Sequence, residues 1–153
     1  RSFDSERGYQ GELKSRLDAT LRKQHYFSNE ALVEEEYQKT IPRHGIPHRP
    51  DIIIHIPFEE GLTADRREGN FVALELKMRA TRKEAVEDFK KLNDYVEILN
   101  YPLAVFININ SDKSFIELAR NDKIHVLNVV KDGQQIMVIH SYHLEGKIVQ
   151  DIF

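Results

Sequence analysis

The chain has 153 residues, 41% hydrophobic and 31% charged, with a formal net charge of −3 and no cysteine. That length can bury about two-thirds of the unfolded surface; the composition excludes a largely disordered chain, and the lack of thiols excludes disulfides, thiolate metal sites and cysteine nucleophiles. The acidic balance excludes a uniformly basic nucleic-acid coat but not a local basic groove. No apolar run approaches the roughly 20 residues that span a bilayer, and no signal-peptide pattern opens the sequence. The reading is therefore one domain over residues 1–153, no membrane partner and a cytoplasmic location. Opening on Arg1 and not on Met, the chain reads as a piece of a longer protein.

Tyr9, Leu13, Leu17 and Leu21 recur at four-residue spacing among charged neighbours and predict an amphipathic helix over about 5–24, capped by Asp4 or Ser5. Val33, Glu35, Tyr37, Lys39 and Ile41 fall on one side of a strand over 31–41, although a helix with Leu32, Val33, Glu36 and Tyr37 on one face also fits. Residues 41–48 contain Pro42, Gly45 and Pro47 and form a turn. The β-branched run Ile52-Ile53-Ile54, stopped at Pro57, predicts a strand buried on both faces.

A polar loop over 57–70 leads to a strand over 71–78 that pairs antiparallel with the one before it. Thr81 and Glu84 have capping-box form, and Ala85, Phe89, Leu92, Val96 and Leu99 carry a second long helix to Tyr101-Pro102. Residues 103–109 form an apolar strand, 115–120 a short helix, and 123–130 another strand. Asp132-Gly133 then turns into a strand over 136–140, with a last strand near Ile148. The order α-β-β-β-α-β-α-β-β-β predicts a mixed α/β sheet.

Two acidic residues stand out. Asp51 opens one strand, and Glu75 lies inside the next with Lys77 on its own face, while Leu74, Leu76 and Met78 point the other way. Two carboxylates within about 4 Å repel by on the order of 4 kcal/mol at an effective dielectric of about 20, and such a pair needs a cation or a proton. Mg²⁺, which prefers oxygen ligands and keeps several waters, meets that need and can also bind a phosphate oxygen. A neighbouring lysine can steer water or offset charge on the phosphate.

Arg49-Pro50-Asp51, followed after 23 intervening residues by Glu75-Leu76-Lys77, resembles the PD-(D/E)XK, or restriction-endonuclease-like, nuclease superfamily. The element order over residues 5–109, about two-thirds of the chain, is similar as well. The resemblance implies an α-β-β-β-α-β core with further C-terminal strands and metal-dependent hydrolysis of phosphodiesters, in DNA more than in RNA. It implies Asp51, Glu75 and the Leu76 carbonyl as ligands of Mg²⁺ or Mn²⁺, and Lys77 as the residue that positions or activates water. A homodimer, or a separate recognition domain or subunit, would supply specificity. The alternative is a non-catalytic nucleic-acid-binding or assembly module on the same scaffold.

The resemblance also calls for an acidic residue from the first helix. At about 100° per residue, Glu6 falls between Leu13 and Leu17 on the helical wheel and Glu12 about 120° away, so Glu6 is the candidate and Glu12 is solvated. His44, His48 and His55 flank Asp51 without any familiar zinc spacing, and His44 and His48, in the Pro/Gly turn, are better suited to phosphate contact. Arg43, Arg49, Arg66, Arg67, Arg79, Arg82, Lys83, Lys90 and Lys91 are mostly solvated surface, with some forming a basic rim.

Overall fold

A computed structural model describes residues 5–24, 31–35, 45–57 and 69–153. In chain order its elements are α1 (Glu6–Gln24), β1 (Leu32–Glu35), β2 (Ile52–His55), β3 (Asn70–Met78), α2 (Arg82–Glu97), β4 (Leu103–Ile109), a 3₁₀ turn (Ile116–Leu118), β5 (Ile124–Asp132), β6 (Gln135–Leu144) and β7 (Lys147–Ile152). The expected order is present, except that the helix expected over 115–120 is a single 3₁₀ turn. Its first residue follows Phe115, whose left-handed backbone (φ 54°) does not propagate an α-helix. The Asp4 cap, the far half of the strand expected over 31–41, and Arg43, His44, Arg66 and Arg67 lie outside the described residues.

The seven strands form one mixed sheet in the order β1-β2-β3-β4-β5-β6-β7. β1, β2 and β3 pair antiparallel, β3, β4 and β5 pair parallel, and β5, β6 and β7 pair antiparallel again. The β3 to β4 step is the crossover that α2 makes, as a parallel connection requires. The second parallel step, β4 to β5, runs through the 3₁₀ turn, and β5, β6 and β7 follow one another through short turns. The β5–β6 turn falls on Gly133 and Gln134, one residue later than expected, because Asp132 still pairs with Gln135.

Strand alternation divides the sheet into two faces. Ile53, Ala73, Phe106 and Val126 pack with Phe89, Leu92 and Tyr95 of α2. Ile52, Ile54, Leu74, Leu76, Val105 and Ile107 form the opposite face, against which Tyr9, Leu13, Leu17 and Leu21 of α1 pack half-buried. All four β2 residues are buried, as isoleucines on both faces require. α2 begins with a complete capping box: the Glu84 N–H donates to Thr81 Oγ1 (3.3 Å) and the Thr81 N–H donates to Glu84 Oε2 (2.8 Å). In α1 the Gly8 N–H donates to Ser5 Oγ (3.2 Å). These caps fix the first turns of both helices, and that of α1 carries Glu6.

The β2–β3 ladder carries a register shift at Ile54/His55, beyond which the Ile56 N–H donates to the Gly69 carbonyl (2.8 Å). A Cβ at Gly69 would lie 2.4 Å from the Ile56 carbonyl oxygen, so only glycine permits this closure. Gly69→Ala should therefore cost about 1–3 kcal/mol and lower the thermal midpoint. A midpoint equal to the parent's, measured by calorimetry, would contradict this packing.

Candidate active site

The candidate residues gather at one end of the sheet, at the carboxyl end of β3 and the adjacent start of β2. The Asp51 N–H donates to the Leu74 carbonyl (3.2 Å), and Asp51 Oδ2 accepts the Leu76 N–H (2.7 Å). Its carboxylate is thereby fastened to the strand that carries Glu75. The expected facing holds: Leu74 and Leu76 belong to the α1 side of the core, whereas Glu75 and Lys77 reach groups of α2.

Glu75 is 1% exposed and is held from α2 on both oxygens. Lys91 Nζ donates to Oε2 (3.1 Å), and the Tyr95 hydroxyl donates to Oε1 (2.8 Å). Lys91 also donates to Asp88 Oδ1 (2.6 Å). Asp88 is itself 2% exposed; its Oδ2 is buried with no hydrogen-bond partner among the described residues, Lys77 Nζ standing 3.9 Å away. Asp88, Lys91 and Tyr95 lie three and four residues apart and so share one helix face.

α1 closes the cluster from the other side. Lys77 Nζ donates to Glu6 Oε1 (3.0 Å), and the Met78 N–H lies 3.4 Å from Glu6 Oε2. Gln10, 7% exposed, donates from Nε2 to the Asp51 carbonyl (2.9 Å). Glu6 is half-buried, as are Leu13 and Leu17 of the same stripe, its side chain 39% exposed, and it meets Lys77 from the first turn of α1. Glu12 pairs with Arg16 at the surface (2.6 Å).

Burial governs the electrostatics. Desolvation, and then the neighbouring Asp51 charge, push the Glu75 carboxyl up to about 8. Desolvation also raises Asp51, against the Leu76 N–H and the two lysines. Burial draws Lys77 down, but Asp88 and Glu6 more than offset it and leave the ammonium raised. Lys91 is raised too, burial being outweighed by Glu75 and Asp88.

Lys91 therefore corrects the expectation of a solvated rim, and it supplies a cation of the kind the acidic pair needs. The signal was present: Asp88, Lys91 and Tyr95 interrupt the apolar stripe of α2 on its core side. His48 and His55 do not join the cluster, since His48 Nε2 pairs with Asp94 (2.7 Å) and His55 Nε2 with Glu34. Arg82 of the expected rim pairs with Glu117 (2.7 Å).

Among the described residues, no group of three or more His, Cys, Asp or Glu side chains is gathered to hold a metal ion as it stands. The donor chemistry nonetheless suits a hard divalent cation, with carboxylate oxygens on three elements and one buried oxygen, Asp88 Oδ2, lacking a hydrogen-bond donor.

No protein-family model matches the sequence, and no curated protein matches it. The structure of SfsA from Pyrococcus furiosus in complex with Ca²⁺ is similar, with a TM-score of 0.42 and 12% sequence identity over 88% of this chain and 64% of that one. The present chain thus spans less than two-thirds of that protein's length.

A carboxyl titrating near 8 when folded and at 4.5 when unfolded holds its proton only in the folded state between those values. Its contribution to stability is full below 4.5 and is lost as the pH rises through 8, a change on the order of a few kcal/mol. With chelator present, denaturant unfolding of the parent should weaken from pH 5 to pH 9. Glu75→Gln should show a shallower decline and exceed the parent at pH 9. Parallel profiles for the two proteins would refute the burial argument.

Proposed function

We propose that the chain is a metal-dependent nuclease domain of restriction-endonuclease-like fold, spanning residues 1–153 and hydrolysing phosphodiester bonds, in DNA more than in RNA. The observation that carries this reading is the convergence of Asp51, Glu75 and Lys77 at the carboxyl end of β3, with Glu6 of α1 on Lys77. Open α/β sheets bind ligands beyond the carboxyl ends of their parallel strands, which is where this cluster lies. A purely structural role explains it poorly, because buried ion pairs seldom repay their desolvation relative to apolar packing.

In this reading Asp51 and Glu75, with the Leu76 carbonyl and Glu6 in support, hold Mg²⁺ or Mn²⁺. The ion, when bound, supplies a Lewis acid for the phosphate and a more acidic water. Lys77, oriented by Glu6 and drawn toward Asp88, presents an ammonium that stays protonated at neutral pH and offsets charge developing on the phosphate. Tyr95 and Asp88 orient Glu75 and Lys91 and keep both within the protein. A second reading, a nucleic-acid-binding or assembly module without catalysis, draws support from Lys91 and Tyr95 already engaging both oxygens of Glu75.

Calorimetric titration should show Mg²⁺ or Mn²⁺ binding that Asp51→Asn and Glu75→Gln each weaken strongly. Equal affinity in all three proteins would exclude these ligands. Metal-dependent cleavage of labelled DNA should fall on the order of a hundredfold in Lys77→Ala, with little change in thermal midpoint. Salt-sensitive binding of DNA without turnover by the parent would establish the second reading in its place.

A further inference from the structure

Beside the carboxylate cluster lies a separate polar pocket of about 280 Å³, lined by Arg7, Gln10, Glu35 and Arg49. None of these four takes part in the proposed chemistry, yet three are tied to it by position. Arg7 follows Glu6 in the first turn of α1, and Arg49 stands two residues before Asp51. Gln10 is buried and donates from Nε2 to the Asp51 carbonyl (2.9 Å), so one wall of the pocket is a single hydrogen bond from the residue that anchors the cluster.

We infer that this pocket binds a phosphate group of the nucleic-acid strand next to the one that reacts, gripped by the Arg7 and Arg49 guanidinium groups. The inference rests on the nuclease reading for the identity of the strand, but not for the chemistry of the pocket. Planar guanidinium forks match phosphate oxygens bidentately. Among the described lining residues, two arginines outnumber one glutamate, which favours an anion. A strand fixed here is placed in register for the cluster without any contact to its bases, as phosphate contacts do in general.

The test measures binding of short fluorescein-labelled single-stranded DNA in chelator, so that nothing is cut, across a range of salt concentrations. Arg7→Gln and Arg49→Gln, both at exposed positions, should each weaken binding about tenfold and lower the salt slope by about 0.7. Lys147→Gln, on the strand at the opposite edge of the sheet, removes the same charge and should change neither.

Strands with a 5′-phosphate or a 5′-hydroxyl should bind alike if the pocket takes an internal diester. A preference for the 5′-phosphate that disappears in the arginine variants would assign the terminal monoester instead. Unchanged affinity and slope in both arginine variants, an equal loss in Lys147→Gln, or no binding by the parent would overturn the inference. Cleavage by the parent in Mg²⁺, measured separately, tests the nuclease reading alone: loss of binding in the arginine variants stands whether or not the parent cuts.

Discussion

Glu75 lies inside a central strand with 1% of its surface exposed, and the arrangement around it follows from that burial. A carboxylate there needs cations or a proton, and α2 supplies a lysine and a phenol one turn apart. Lys91 in turn needs Asp88 to hold it, and Asp88 draws Lys77 toward it. Asp51 adds a second negative charge, tied down by the Leu76 N–H on the same strand that carries Glu75. The sheet end is thus a network in which each charge is justified by another and none by packing alone. Apolar residues of similar volume would often serve folding as well or better.

Much of this was legible in the chain. The β-branched run at Ile52–Ile54 and the apolar run Leu103–Ile109 announce buried strands, and the structure places β2 and β4 there. The capping box at Thr81 and Glu84 sets the start of α2 to the residue. Alternation alone separated Glu75 and Lys77 from Leu74 and Leu76, because a strand's period of two leaves no other choice.

What was not legible depends on how elements meet. Lys91 looks like any lysine on a charged helix, and only the crossing of α2 over β3 turns it onto Glu75. The wheel put Glu6 beside Leu13 and Leu17, but it could not show that the first turn of α1 meets Lys77 of β3. The pairing of His48 with Asp94 and of His55 with Glu34 likewise joins residues distant in sequence, which no local pattern reveals. The short helix expected after β4 failed for a local reason, the left-handed backbone at Phe115, which composition does not disclose.

The proposed divalent-cation site rests on Asp51 and Glu75 meeting at the end of β3. The most direct measurement is anomalous diffraction from crystals of the protein grown with Mn²⁺. The proposal requires an anomalous peak within bonding distance of Asp51 and Glu75 oxygens. No peak there at saturating Mn²⁺ would contradict it.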